Sequence, residues 1–332
     1  MPPHAPPVAL EVVVLGAGPI GQGVARAVAA RRGLSLVAVV DVDPAKVGTA
    51  VAGVTVRAEL PAPSEALRVA ALTTTSSLEK LLPLLLDCVG RGMPVVSTCE
   101  ELSWPWAAPE LARRIDEAAA RAGVAVLGTG VNPGFVMDAL PLALSAPCER
   151  VSSVRVERVQ DASTRRRPFQ DKVGVGQEPT EVQRALDERR AGHVGLRESA
   201  AMIVAKLGLS TDAFTETLRV VVAEQAVERG GRRVEAGQAL GVEQVGRASH
   251  QGVAVVELVF RATFGEERSW DRVLLEGAPR VDLRIDGGIP GDVATCAIVA
   301  NAIPVVARAP AGLLTMADVP LIVAPGVDAT TG

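Results

Sequence analysis

The sequence predicts an α/β fold in two parts: a doubly wound parallel sheet, then a second α+β domain with a mixed or antiparallel sheet. Three observations carry that expectation. Up to about residue 130, continuous apolar runs alternate with helix-like segments that end in glycine, as strands and crossover helices of a buried parallel sheet do. Beyond residue 150, apolar and polar positions alternate with a period of two, as in strands with one covered face. A glycine-rich turn joins the first apolar run to the first helical segment.

The elements follow in order. VALEVVVLG at 8–16 is an apolar run interrupted only by Glu11, a strand buried on both faces. Residues 21–32 are rich in Ala and Val, carry Arg26, Arg31 and Arg32 late, and stop at Gly33, which marks a helix. LSLVAVVD at 34–41 is a second buried strand, and VAALTTTSS at 69–77 is a third that runs into a polar rim. LEKLLPLLLDCVGRG reads as a helix ended by Gly90 and Gly92, with Pro83 tolerable only near its start. PVVSTCE is the next strand, PELARRIDEAAARAG the next helix and VAVLGTG the strand after it. Such alternation implies right-handed crossovers and an open parallel sheet.

In the second part, VSSVRVERVQ, TETLRVVVAEQAVE, VAVVELVFRATFG and PRVDLRIDG read as strands. PRVDLRID alternates most plainly, with Val281, Leu283 and Ile285 on one face and Asp282, Arg284 and Asp286 on the other. One helix, near LRESAAMIVAKLG at 196–208, interrupts them. The apolar stretch TCAIVANAIPVVARA at 295–309 reads as a helix that packs back on the first domain. The expected boundaries are 1–137, completed by about 292–332, and 138–291.

Composition excludes several classes. At 332 residues with 48% hydrophobic content, each domain can bury a core. A net charge of −4 offers nothing to nucleic acid or an anionic membrane, and with 2% aromatics and no Tyr there is no platform for stacking bases. Cys88, Cys99, Cys148 and Cys296 are far apart and lack metal-ligand spacing, so no metal is expected and a reducing cytoplasm suits them. The opening MPPHAPP, with His4, reads as a tail rather than a signal peptide, and no apolar stretch is long enough to span a bilayer.

VVVLGAGPIGQG places Gly16, Gly18 and Gly21 in a G-x-G-x-x-G pattern straight after a strand, with Pro19 and Ile20 opening the helix. The first glycine makes the turn, the second lets backbone approach a pyrophosphate, and the third packs helix on strand. Asp41 ends the second strand 20 residues after Gly21, where an acid accepts hydrogen bonds from ribose hydroxyls. Together these predict a Rossmann-type site for NAD or NADP. Asp41 opposes the 2′-phosphate of NADP; Lys46 and Arg57 would compensate, although Lys46 also reads as a solvated helix-start lysine.

Ligands of an open parallel sheet bind beyond the carboxyl ends of its strands. Those ends carry Thr73–Ser77, Ser97–Glu101 and Gly128–Gly134. Thr74 and Thr75 are candidate partners for the nicotinamide ribose, and Cys99 lies on the same edge. Glu100 and Glu101 sit side by side there, ahead of a Trp-Pro-Trp segment that would shield them from water. If this segment is extended, the two acids point in opposite directions. A rival reading makes Cys99 the nucleophile of an aldehyde dehydrogenase, but adjacent acids raise a thiol's pKa. A non-catalytic nucleotide-binding protein is a third reading.

GAGPIGQG, STCEEL, GTGVNPGFVMD, GHVGLRES, SHQGV and DGGIPGDVAT with NAIP and GLLTMADVP run in this order along nearly the whole chain. The set resembles the 2,4-diaminopentanoate dehydrogenase family, which includes native amine dehydrogenases and is distantly similar to dihydrodipicolinate reductases. The resemblance implies reversible oxidative deamination of a primary amine with NAD(P), giving a carbonyl compound and ammonia, and a homodimer built through the second domain's sheet. It makes Glu101 the acid/base and iminium stabiliser and Asn132 the residue that orients substrate nitrogen or the acid. Phe135, Met137, Arg158, Gln160, His193 and His250 become the substrate pocket. Arg158 would hold a carboxylate if the substrate has one, as 2,4-diaminopentanoate does.

Overall fold

The computed structural model describes residues 9–326, so His4 and the MPPHAPP start lie outside the described residues. The chain falls into two compact units. One runs to Phe135 and resumes at Pro290; the other is Val136–Ile289.

In the first unit, strand β1 (Leu10–Leu15) leads into helix α1 (Pro19–Ala29) and β2 (Leu34–Val40). The short strands β3 (Ala50–Val51) and β4 (Val54–Arg57) follow, then β5 (Arg68–Leu72), α2 (Leu78–Gly90) and β6 (Val95–Ser97). Two 3-10 turns, Glu100–Ser103 and Pro105–Ala107, precede α3 (Pro109–Ala122) and β7 (Ala125–Gly128). The pleat of β1 explains its apolar run. Val12 and Val14 join Val24 and Val28 of α1 in one core cluster. Val13 and Leu15 join Leu81 and Leu85 of α2 and Ile115 of α3 in another. Both faces are covered over Val12–Leu15, which are apolar and buried throughout, while half-buried Glu11 at the strand's start pairs with Arg68 at 2.6 Å. Helix α1 presents Gly21, Val24, Ala25 and Val28 as its buried stripe, at the spacing of one helical face. Truncating Leu85 or Ile115, each fully buried, to Ala costs roughly 2–5 kcal/mol.

Two details depart from expectation. The third predicted strand stops at Leu72, and Thr73–Ser77 leave the sheet so that Ser77 caps α2, accepting the N–H of Lys80. The β3–β4 hairpin is unforeseen. Its strands are too short to show alternation, and its turn rests on Ala52 and Gly53 in left-handed conformations (φ 50° and 81°).

The second unit opens with α4 (Ala139–Leu144), β8 (Arg150–Asp161), α5 (Arg167–Lys172), α6 (Pro179–Asp187) and α7 (Leu196–Leu207). It continues as β9 (Ala213–Val222), β10 (Val227–Arg229), β11 (Arg232–Val234), β12 (Ala239–His250), β13 (Val253–Thr263), β14 (Trp270–Ala278) and β15 (Val281–Asp286). Six of these strands form a sheet in the order β15-β14-β8-β13-β12-β9. Only β8 and β13 run parallel, so the sheet is mixed. Strand β15 alternates half-buried Val281, Leu283 and Ile285 with exposed Asp282, Arg284 and Asp286. The single helix expected here is α7; α4, α5 and α6 join it, each too short to show a full apolar stripe.

Back in the first unit, α8 (Gly291–Val306) and β16 (Gly312–Leu314) complete the chain's described structure. Val299, Ala300, Ala302 and Ile303 of α8 join the α1 side of the core. The sheet order is β16-β7-β6-β5-β1-β2-β4-β3, parallel except for β3 against β4. Strand order reverses between β1 and β5, which opens a crevice at their carboxyl ends. No described helix is long and apolar enough to cross a membrane.

Candidate active site

At that crevice Gly16 adopts φ 101°, and a Cβ on it would lie 2.7 Å from the Thr73 carbonyl oxygen. A Cβ on Gly21 would lie 1.7 Å from the Gly16 oxygen, so the helix start is pressed against the turn. Gly18 differs: a Cβ there would meet nothing within 4 Å. It is the N-cap of α1, no side chain caps that helix, and its first turn holds no acid. The turn thus keeps backbone N–H groups and open space for an anion, which fits a pyrophosphate. Thr73 clasps the arrangement, its hydroxyl donating to the carbonyls of Leu15 (2.9 Å) and Gly16 (3.1 Å).

Asp41 closes on the same turn. Its Oδ2 accepts the Ala17 N–H at 2.7 Å and faces Lys46 Nζ at 3.1 Å, while Oδ1 accepts the Asp43 N–H at 2.9 Å. Burial acts to raise its pKa, but the two N–H groups and the ammonium together hold the carboxyl below the usual range. Lys46 is therefore paired, with Asp43 as a second partner at 3.4 Å.

Glu101 lies at the mouth of β6 with its Oε2 accepting the Leu78 N–H, the first residue of α2, at 2.7 Å. The segment is not extended as expected. Glu100–Ser103 forms a 3-10 turn, so neighbouring side chains diverge by about a third of a turn rather than pointing opposite ways. Gly128 makes room for it: a Cβ there would lie 2.5 Å from the Leu102 carbonyl. Trp104 and Trp106 pair beyond it at 5.1 Å, with Trp106 exposed. Cys99 points inward, its thiol donating to the Ser76 carbonyl at 3.1 Å. Burial foremost, with Glu100 and Glu101 adding, pushes that thiol up to about 12. A thiolate nucleophile is incompatible with this position. Thr74 is exposed, and Thr75 accepts the Ser77 N–H at 3.2 Å.

Asn132 occupies the loop after β7, where a Cβ on Gly134 (φ 120°) would strike the Gly130 nitrogen at 2.3 Å. The Val131 N–H donates to Thr295 Oγ1 at 3.2 Å, which ties the loop to α8. Both the oxygen and the nitrogen of the Asn132 amide are buried without a hydrogen-bond partner. Buried amides in folded proteins are nearly always satisfied, so this one offers a donor and an acceptor to a ligand.

In the second unit one row crosses the sheet: Ile285, Asp271, Arg158, Phe260, Gln244 and Leu218 are successive cross-strand partners and share a face. Arg158 and Asp271 are 2% and 1% exposed and stand 3.4 Å apart. Gln160, two residues along β8, shares that face and is also buried. The His193 ring stacks on Phe260 with centroids 4.9 Å apart, and its Nε2 is buried without a partner. Burial, then the charges of Lys172 and Arg158, push this ring down to about 3, so it is neutral. Gln244 fixes it from below, accepting the His193 N–H at 2.9 Å and donating to the His193 carbonyl at 2.7 Å. Met137 is fully buried and Phe135 half-buried.

His250 lies elsewhere. It ends β12 at the turn formed by Gln251 and Gly252, 3.7 Å from Asp212, and stands about 20 Å along the strand from Gln244. Sequence reading overlooked Thr73, Gln244 and Asp271. The only signal for the last two is a polar residue at an inward-facing strand position, visible once the strand register is known.

An open parallel sheet that leaves a glycine turn and an uncapped helix end free for an anion defines a Rossmann-type nucleotide-binding domain. Within that class, the 2,4-diaminopentanoate dehydrogenase C-terminal domain family matches residues 135–330, and a CoA binding domain family matches 9–77. A 2,4-diaminopentanoate dehydrogenase of Acetoanaerobium sticklandii is 30% identical, across 94% of each chain. An amine dehydrogenase of Streptomyces virginiae is 26% identical over 94% of this chain and 96% of its own. In fold, the chain is similar to a solved amine dehydrogenase from Mycobacterium smegmatis, with TM-score 0.80 at 22% identity over 95% and 97% of the two chains. The chain belongs to the 2,4-diaminopentanoate dehydrogenase family and is a dehydrogenase.

Proposed function

We propose that this chain is an NAD(P)-dependent amine dehydrogenase. It oxidises a primary amine to a ketone or aldehyde plus ammonia, and in reverse aminates the carbonyl compound reductively. The named relatives support this reading, and one observation carries it: Glu101 presents a carboxylate at the strand-end edge where the glycine turn opens.

For amination, Glu101 takes a proton from ammonium and frees ammonia to add to the carbonyl carbon. It returns that proton to the hydroxyl that leaves the carbinolamine as water, and as a carboxylate it stabilises the iminium cation. The chemistry supplied by a bound nicotinamide is hydride transfer to the iminium carbon. Gly16, Gly18, Pro19, Ile20 and Gly21 hold the pyrophosphate, and Asp41 holds the adenosine ribose, with Lys46 there to temper its charge toward a 2′-phosphate. Thr74 and Thr75 serve the nicotinamide ribose, with Cys99 buried behind them as a neutral thiol. The orphaned amide of Asn132 orients the substrate nitrogen or Glu101. Phe135, Met137, Arg158, Gln160 and His193 make up the substrate-holding set; His250, at its distant hairpin, is left out of it. A second reading, a carboxylated diamine as substrate, is favoured by the relative at 30% identity.

The reading extends to a homodimer through the open face of the six-stranded sheet, where Arg155, Glu157, Glu257, Arg247 and Arg272 interlock in ion pairs. Light scattering that returns only monomer at every concentration removes that part. No disulfide joins Cys88, Cys99, Cys148 and Cys296, which suits a reducing cytoplasm.

The function is tested by offering cyclohexanone, short aldehydes and 2-amino-4-oxopentanoate with ammonia, using NADH and NADPH in parallel. Consumption of coenzyme that depends on both carbonyl and ammonia supports it. Coenzyme binding with no ammonia-dependent turnover of any carbonyl rejects it.

A further inference from the structure

Asp271 is a buried acid that the mechanism above does not use. Its Oδ2 accepts the Ile289 N–H at 2.7 Å and faces Arg158 Nη1 at 3.4 Å, and the other Arg158 nitrogen, Nη2, donates to the Ile289 carbonyl. The two charges lie side by side in one row of the sheet, closed from water. Its Oδ1 is also buried and has no hydrogen-bond partner.

We infer that Asp271 is the built-in counter-ion of Arg158, so that the enzyme selects carbonyl compounds and amines without a carboxylate and refuses those that carry one. The inference rests on the proposed amine dehydrogenase reading and on Arg158 belonging to its substrate-holding set. A guanidinium already matched by one carboxylate cannot take a second in a dry site without leaving a net negative charge there. Desolvation of that charge is not repaid, and the two carboxylates repel. A neutral ketone brings no such charge. The unpartnered Oδ1 remains as an acceptor for a ligand N–H or O–H, which a carboxylate lacks. Burial is the first influence on both groups. It raises the Asp271 carboxyl and lowers the Arg158 guanidinium, and each opposes the shift of the other. A pair so placed is sensitive to any third charge.

The test uses two ketones of matched shape, pentan-2-one and 4-oxopentanoate, each with ammonia and with NADH or NADPH. The unmodified protein is expected to prefer pentan-2-one by roughly tenfold or more in kcat/KM. In Asp271→Asn the amide oxygen still accepts the Ile289 N–H while the counter-charge is gone. The preference then shrinks by roughly tenfold or reverses, because Arg158 becomes available to the carboxylate. Melting and NAD(P)H fluorescence establish that this variant is folded and binds coenzyme. If it does not fold, the unmodified protein decides alone through its preference ratio. A preference for 4-oxopentanoate in the unmodified protein overturns the inference and leaves the amine dehydrogenase reading standing. So does a folded Asp271→Asn with an unchanged ratio, which makes Asp271 only an anchor for the chain at Ile289. Turnover of neither ketone with either coenzyme overturns both.

Discussion

The carboxylate of Glu101 accepts the backbone N–H of Leu78 at 2.7 Å, so the acid at the mouth of β6 also serves the first turn of α2. The first N–H groups of a helix have no partner within it, and a carboxylate there satisfies one and meets the positive end of the helix dipole. The two tasks separate by substitution. Glu101→Ala removes the acceptor and should lower stability by about 1 kcal/mol, while Glu101→Gln keeps an amide oxygen in place and should lose markedly less. Urea denaturation of the two variants checks this; equal losses would mean that the contact does not hold the helix start.

Glycines of the turn should fail in different ways. Gly21→Ala puts a carbon 1.7 Å from the Gly16 oxygen, backbone against backbone, and should cost roughly 3 kcal/mol or more or prevent folding. Gly18→Ala meets nothing within 4 Å, and its φ of −70° suits alanine, so the protein should melt near the unmodified temperature. Its loss should appear in NAD(P)H affinity, read by fluorescence titration. Normal affinity in Gly18→Ala would remove the pyrophosphate from this turn.

If Asp41 holds the ribose as proposed, coenzyme choice and acid stability meet in one residue. Its pKa in the fold lies below the ordinary 3.8, so its contribution is complete above that value and is lost as pH falls through the folded value. Asp41→Asn should therefore be less stable than the parent at neutral pH, and the gap should narrow as pH drops below about 3.8. The same variant no longer repels a 2′-phosphate, so its NADPH-to-NADH ratio in kcat/KM should rise. Paired denaturation and kinetic series test the two halves separately, and a ratio that stays constant contradicts the assignment of Asp41 to the ribose.

His193 gives a second pH window, of different origin. Its folded pKa is depressed from 6.5 to about 3, so the unfolded chain takes up the proton first as the solution is acidified. Stability is complete above 6.5 and drains between 6.5 and about 3, by at most a few kcal/mol. His193→Phe preserves a ring against Phe260 and should flatten the profile across that interval. A variant that follows the parent's profile would place the acid sensitivity elsewhere.

The parallel half of the fold was legible because both faces of its strands are buried, which turns strands such as Leu10–Leu15 and Leu34–Val40 into nearly unbroken apolar runs. Helices α1, α2 and α3 announced themselves by glycine stops and periodic stripes. The hairpin Ala50–Arg57 and helices α4 to α6 are shorter than the window in which a period becomes visible. Strand β12 was hidden because Gly241, Gln244 and Gly246 interrupt its apolar positions. In the site, the glycine turn was legible because all its parts lie within six consecutive residues. Thr73 was not, since three threonines in a row give no sign of which one faces the turn. Arg158 stands out as a cation at a strand end, but Asp271 is 113 residues away and becomes its partner only through the register of β8 with β14. Asn132 is legible from its loop; that both its amide atoms are orphaned is a property of the folded chain alone.

In the proposed reaction, Glu101 moves the protons of amination. The most direct test of that role is the kcat of Glu101→Gln for ketone plus ammonia, with NAD(P)H affinity measured on the same preparation. In Glu101→Gln, kcat should fall by about 10²–10⁴ while coenzyme affinity stays at the parent value. An undiminished kcat in that variant would contradict the role.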